Sequence, residues 1–535
     1  MNNKTDLLII FSRSVLLLLE VYLKNKEIIP KIFNGALCIS FATLLVKIFG
    51  MLYKIPLSYF LGESGMGYFN TAYTIYSFFY IICATGAPKA IAILISEQGE
   101  EDKQKDIFNV SLRAYKVIGS LGTIITIIFA YPLLNLLGNV NALLSLLTIS
   151  PSIFILCLSG VYKGYLHGRV NFFPMAISMI IEAFGKLLFG LAFSYILYVK
   201  SASPQVISAG AALGISIGCL VSFLYLKICI KNRNSREISK QSRLLNRKEI
   251  CLKIAKIALP IAFSSSLASL CGVFEIGILM NCLTKQGLSE IEANSVWGNY
   301  STLALPMINF ISAMLLPIST VYLPRLVRID NTNTEKFERE ANNAIYTSVI
   351  FALPFSMCFL IYPFMLLDVL FSSNSSILGS ELLTMLSPAV LFLSLLTVLN
   401  TVLEAKGHIR SSFISMLSTS LIRIVLLLFF LKGTKLGIYA APLVLSLSYL
   451  FGCTISAYFC EKKQIKLKFG LFILKQLLVS AICFIVPYIL VFSIGKISLL
   501  NVIICLIISF AFYFAFSFLN YKIDPIHQIE QKTFN

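Results

Sequence analysis

Apolar runs of about twenty residues or more recur along this chain, and that repetition restricts the fold more than any single motif does. A helix needs about 20 apolar residues to cross the hydrocarbon core of a bilayer. The runs here are continuous, whereas a membrane β-barrel shows short alternating segments. In lipid every backbone N–H and C=O must find its partner inside the structure, so each run is a helix. Composition agrees: 57% of the residues are hydrophobic and 13% are charged, and mean hydropathy is +0.84, against about 25% charged residues in soluble proteins. The expected fold is all-α and polytopic, with about fourteen transmembrane helices between Lys31 and the C-terminal region.

The formal net charge is +19. In a soluble protein that would point to nucleic acid; here the bases lie in loops between spans. With the N-terminus inside, the even-numbered loops hold Lys103 and Lys105, Lys163 and Arg169, Arg328, Lys336 and Arg339, Lys406 and Arg410, and Lys462 to Lys468. The odd-numbered loops are nearly free of bases, Lys432 and Lys435 being the weak exception. The positive-inside rule then puts both termini in the cytoplasm. The longest polar stretch, residues 230–250, reads as a basic cytoplasmic linker that can rest on anionic lipid. Residues 1–30 are short, interrupted by Arg13 and Glu20, and lack a cleavage site. They read first as an interfacial helix, next as a non-native extension from an upstream start codon, and last as a further span.

An internal repeat supports two lobes. Gly67–Leu94 and Gly298–Leu326 share a polar aromatic start, an apolar run and a proline about twenty residues on, Pro88 and Pro317. Tyr165–Lys186 and Glu404–Arg423 share a loop glycine (Gly168, Gly407), an Ile-Ser-Met triplet and a deeper basic residue. Because the order of features is kept, the halves are parallel repeats around a central cavity. The expected organisation is an N-lobe at 31–229, the linker at 230–250, a C-lobe at 251–460, and two further helices with a cytoplasmic tail at 461–535.

Nothing resembles an enzyme site: Walker A, zinc and Ser-His-Asp signatures are absent. The 13 cysteines form no CxxC pair and read as small lipid-compatible side chains. No cofactor or metal is expected. The informative residues are charges inside the spans. Gly35–Gly62 carries Lys47 and, two helical turns on, Lys54, which puts both ammonium groups on one face roughly 10 Å apart. A charge at mid-membrane costs about 2.5–3.5 kcal/mol, so the pair should face a wet cavity or an anion. The plainer alternatives are a Lys54 that snorkels to the interface and a Lys47 that meets a buried carboxylate. Glu182 and Lys186 are spaced i, i+4 and either neutralise each other or line the cavity. Glu275 either pairs with Lys47 or Lys54 or titrates as an ion-coupling site, and Arg423 is the intramembrane base of span eleven. Pro56, Pro88, Pro306 and Pro317 interrupt spans, as bending points or as static kinks.

The run from Gly35 through GMLYKIPLSYFLGESGMGYFNTAY to ATGAPKAIAILISE, with YKGYLHGRVNFFPMAISMIIEAFGK, resembles the polysaccharide-biosynthesis branch of the multidrug/oligosaccharidyl-lipid/polysaccharide exporter superfamily. Within that branch it is most similar to the stage V sporulation protein B and lipid II flippase group, over roughly residues 31–525. The resemblance implies fourteen MATE-like helices and alternating access for an undecaprenyl-diphosphate-linked sugar in the bacterial cytoplasmic membrane. It also implies work alongside cell-wall synthesis enzymes, including spore-cortex synthesis, and coupling to a monovalent cation or the membrane potential. By position, Lys47 and Lys54 match the family's basic pair on the first helix, and Glu182 and Lys186 its Glu–basic pair on the fifth. Lysine stands where arginine is common, which keeps the charge and gives up bidentate phosphate contact. The expected substrate-binding residues are Lys47, Lys54, Lys186 and Arg423, with Glu182 and Glu275 as ion-coupling or ion-pair residues. A cation-coupled drug or metabolite exporter and a membrane-embedded glycosyltransferase or polymerase are the competing readings.

Overall fold

Helix is the only regular structure among the described residues of the computed structural model. These are residues 35–523 apart from 99, 170, 232–246, 330–332, 372–375, 435, 468–469 and 494–498. The expectations placed on residues 1–30, on most of the 230–250 linker and on the tail after 523 lie outside them. Twelve helical stretches are long and apolar enough to cross a membrane, the first, bent one counted once.

The first helix, α1 (Gly35–Ile81), breaks at Gly62, where φ is 65°. That left-handed conformation favours glycine, which has no Cβ to clash. The two limbs fold back on each other: Lys54, eight residues before Gly62, touches Asn70, eight residues after it. A π turn (Ile82–Gly86) leads into α2 (Ala87–Ser96). The first lobe continues through α3 (Glu101–Ile128), the short α4 (Ala130–Leu136) and α5 (Leu143–Ile149), α6 (Pro151–Gly168), α7 (Phe172–Val199) and α8 (Pro204–Lys231). The second begins with α9 (Arg247–Lys285) and α10 (Glu290–Asn299). A second π turn (Tyr300–Ala304) then leads to α11 (Leu305–Val327), α12 (Thr334–Ile361), the short α13 (Pro363–Phe371), α14 (Ser376–Ala405), α15 (Ile409–Gly433) and α16 (Ala440–Lys462). The last two helices, α17 (Gly470–Ser493) and α18 (Leu499–Ile523), pair with each other and pack on α12.

The two lobes pack alike. In the first, α6 contacts α3 and α8, and α7 lies along α8; in the second, α14 contacts α12 and α16, and α15 lies along α16. Lipid supplies no hydrophobic drive between helices, so close approach depends on small residues. On α8, Gly210, Gly214 and Gly218 recur every four residues; Gly214 meets Gly190 of α7 backbone to backbone, and Gly218 meets Gly185. On α6, Gly160 packs against the Cys83 carbonyl in the first π turn, and Gly164 and Gly168 against Pro88, Ile91, Ala92 and Ile95 of α2. Large apolar side chains such as Ile128, Phe429 and Phe512 point outward and are exposed. In water that surface would aggregate; in a bilayer it faces its solvent.

Proline explains the π turns. Pro88 and Pro306 each stand two residues past the end of one. In an i→i+5 register the carbonyls of Cys83 and Ser301 would be met by the N–H groups of residues 88 and 306, which proline lacks. Pro56 and Pro317 lie within α1 and α11, which continue through them.

The lobes meet on the axis of the repeat. Gly67 packs against the backbone of Asn294, and Gly298 against the backbone of Glu63, so tightly that neither has room for a Cβ. These are the first residues of the two aligned blocks. Beside them Asn139 donates to Thr71 Oγ1 at 2.8 Å and to Asn294 Oδ1 at 2.7 Å. Toward the far end of the same limb, Gly86 packs on Ala258 and Ala262 of α9.

Candidate functional site

A cavity of about 430 Å³ opens between the lobes, lined by both limbs of α1, by α7 and α8, and by Pro306, Asn309 and Phe310 of α11. Its volume falls within the roughly 300–1,000 Å³ of small-molecule sites. Lys47, Lys54, Lys186 and Glu182 all line it. The helical spacing of Lys47 and Lys54 thus puts both on one wall of a cavity.

Lys54 is held by neutral acceptors. Its ammonium donates to the Ser301 carbonyl at 2.9 Å and to Asn70 Oδ1 at 3.3 Å. That carbonyl is the one Pro306 leaves without a backbone donor. Asn70 in turn donates to Ser301 Oγ at 2.9 Å and Thr302 Oγ1 at 2.8 Å. Ser301 spends its own proton on the Trp297 carbonyl at 2.7 Å, so its oxygen can only accept from Asn70. This order turns the Asn70 carbonyl oxygen toward Lys54. An ammonium has three donors, and these two bonds leave one for a ligand. Asn70 and Ser301 each stand three residues after the paired glycines, Gly67 and Gly298, so they are repeat mates facing each other across the axis.

Lys186 lies over two aromatic rings, with Nζ 4.1 Å from the centroid of Tyr73 and 5.3 Å from that of Tyr53. The i, i+4 pairing with Glu182 is not formed. Glu182 pairs instead with Lys163 of α6, at 3.2 Å. Lys163, expected in a loop, lies inside the bundle at 8% exposed because α6 continues to Gly168. Among the described residues no carboxylate pairs with Lys47, Lys54 or Lys186, and Lys163 balances Glu182, so the wall presents three uncompensated ammonium groups.

Glu275 forms an ion pair, but with Arg423 rather than with Lys47 or Lys54, and both lie away from this cavity. The pair sits between α9 and α15, with 5% and 19% of the two side chains exposed. An ionised group in that interior needs its countercharge at hand, and Lys47 and Lys54 lie elsewhere. Sequence reasoning missed Asn70, Ser301, Tyr53, Tyr73 and Lys163. The equal offsets of Asn70 and Ser301 from the paired glycines were a readable signal; the partners of Lys186 and Glu182 depend on helix packing and left none.

The fold and the cavity between its lobes define a multi-pass membrane protein of transporter class rather than an enzyme. The chain belongs to the polysaccharide biosynthesis protein family, whose pattern matches residues 32–330. It is 23% identical to stage V sporulation protein B of Bacillus subtilis (strain 168), over 77% of this chain and 80% of that one. To the lipid II flippase MurJ of the same organism it is 21% identical, over 74% and 76%. Among solved structures, the lipid II flippase MurJ in an inward closed conformation superposes with a TM-score of 0.68 at 19% identity, covering 90% of this chain and 98% of that one. An inward-facing multidrug resistance MATE family transporter gives 0.60 at 16% identity, covering 79% and 94%.

Proposed function

We infer that this protein is a flippase for an anionic lipid-linked cell-wall precursor, an undecaprenyl-diphosphate-linked sugar, carried from the cytoplasmic to the outer leaflet. The observation that carries the reading is the set of three uncompensated lysines, Lys47, Lys54 and Lys186, in a cavity between two lobes. A diphosphate is the part of such a lipid that a wall of ammonium groups would hold. The family and the relatives named as flippases support the lipid-linked class of cargo. Both termini lie in the cytoplasm in this reading, the basic linker rests on anionic lipid, and transport draws on a monovalent cation or the membrane potential. Cell-wall synthesis enzymes supply and consume the cargo, and the likeness to stage V sporulation protein B supports spore-cortex synthesis as the setting. A cation-coupled drug exporter would want acidic groups to dominate the cavity, and bases do. The test is reconstitution in liposomes with a labelled undecaprenyl-diphosphate-linked disaccharide. Lys47→Ala and Lys54→Ala proteins should insert normally and translocate at least tenfold more slowly; full activity in both would defeat the reading.

A further inference from the structure

The two limbs of α1 present different chemistry to the same cavity. On the first limb stand Lys54 and, two turns on, Lys47. The second limb carries an aromatic ladder, Phe69, Tyr73, Tyr76 and Tyr80, with successive ring centroids 5.9, 5.7 and 6.0 Å apart. All four rings line the cavity. Because the limbs fold back at Gly62, Lys47 at fifteen residues before the break is level with Ser77 at fifteen residues after it, one turn from Tyr80. The ladder is not equally engaged. Tyr76 is buried, with its hydroxyl on Cys219 Sγ at 3.5 Å. Lys186 occupies a face of Tyr73. Tyr80 is half-buried, and among the described residues its hydroxyl has no hydrogen-bond partner. Packing alone does not call for a phenol on a cavity wall with its polar tip unused.

We propose that Tyr80, with the rim of Tyr73, is a sugar subsite: it takes the apolar C–H face of a pyranose while the facing lysines hold the phosphates joined to that ring. This rests on the flippase reading and adds a recognition element that the charges cannot provide. Ammonium groups recognise a diphosphate whatever it carries; an aromatic face one turn from the level of Lys47 distinguishes a glycosylated diphosphate from a bare one. The phenol supplies a hydrogen bond to a ring hydroxyl, and the ring supplies the contact surface.

The experiment compares two probes on the purified full chain in detergent: undecaprenyl diphosphate, and the same lipid bearing one N-acetylglucosamine. The native protein should bind the glycosylated lipid more tightly. Tyr80→Leu should lose that preference, weakening the glycosylated lipid by about fivefold to tenfold with the bare diphosphate unchanged. Tyr80→Phe, which keeps the ring, should retain most of it, and its monodispersity reports on folding. A Tyr80→Leu protein that keeps the preference, or that loses both lipids equally, overturns the subsite. A native protein that binds neither lipid overturns the flippase reading itself, which is a different result.

Discussion

Lys186 and Arg423 show how one repeat position acquires two roles. Aligned on the Ile-Ser-Met triplets, both stand nine residues after the isoleucine, Ile177 and Ile414. Lys186 rests on tyrosine faces in the cavity, whereas Arg423 is tied to Glu275 in the second lobe. The energies differ accordingly. A cation–π contact is worth about 0.5–2 kcal/mol, while removing one partner of a buried ion pair costs about 3–5 kcal/mol because the other charge is stranded. Glu275→Gln should therefore lower the stability of the detergent-purified protein by about 3–5 kcal/mol, and adding Arg423→Met should restore most of it. Lys186→Met should cost at most about 2 kcal/mol of stability and slow transport. Unfolding curves for the four proteins check this; an equal loss for Glu275→Gln and Lys186→Met would refute the division of roles. The same contrast marks the limit of sequence reading at this scale. That Glu182, Lys186, Glu275 and Arg423 lie inside spans was legible from hydropathy. Which charge each one meets was not, because the choice depends on how helices rotate and pack. Glu182 has a lysine one turn away on its own helix and pairs instead with Lys163 on another.

At the scale of elements, the helices were legible because apolar runs leave the backbone no other way to satisfy its polar groups. Their irregularities were half legible. The prolines marked where spans would be disturbed, but not that Pro88 and Pro306 would each follow a π turn while α1 and α11 run through Pro56 and Pro317. The difference matters at Ser301, whose carbonyl binds Lys54. Pro306→Ala restores an N–H that can compete for that carbonyl and removes the reason for the wide turn. Hydrogen bonds to charged groups are worth about 1.5–3 kcal/mol, so Lys54 would lose much of what orients it. The expected result is a folded protein whose affinity for the diphosphate lipid falls by about tenfold. Binding unchanged from the native protein would mean that the proline serves packing alone.

For the whole molecule, the repeat decides where the lobes can touch. Residues on a two-fold axis meet their own mates, and there is little space at such a point, which is why glycines stand at Gly67 and Gly298. The lobes also touch at Gly86, which packs on Ala258 and Ala262, so two lobes that rock about a cavity would open the Gly67–Gly298 contact while the other holds, since their interiors are packed and do not deform continuously. Asn139 spans that contact, donating from the first lobe to Asn294 in the second at 2.7 Å. A covalent bridge at the same place should therefore stop transport without touching any cargo-binding residue. In an Asn139→Cys/Asn294→Cys double variant, oxidation should reduce translocation at least tenfold, and a thiol reductant should restore it. Each single variant should be insensitive to both treatments, which controls for the 13 native cysteines. Cargo binding measured on the oxidised protein should persist, because the lysine wall is formed by the first lobe. If the bridged protein translocates at the native rate, the Gly67–Gly298 contact is not a gate, and the lobes must exchange access through movement somewhere else.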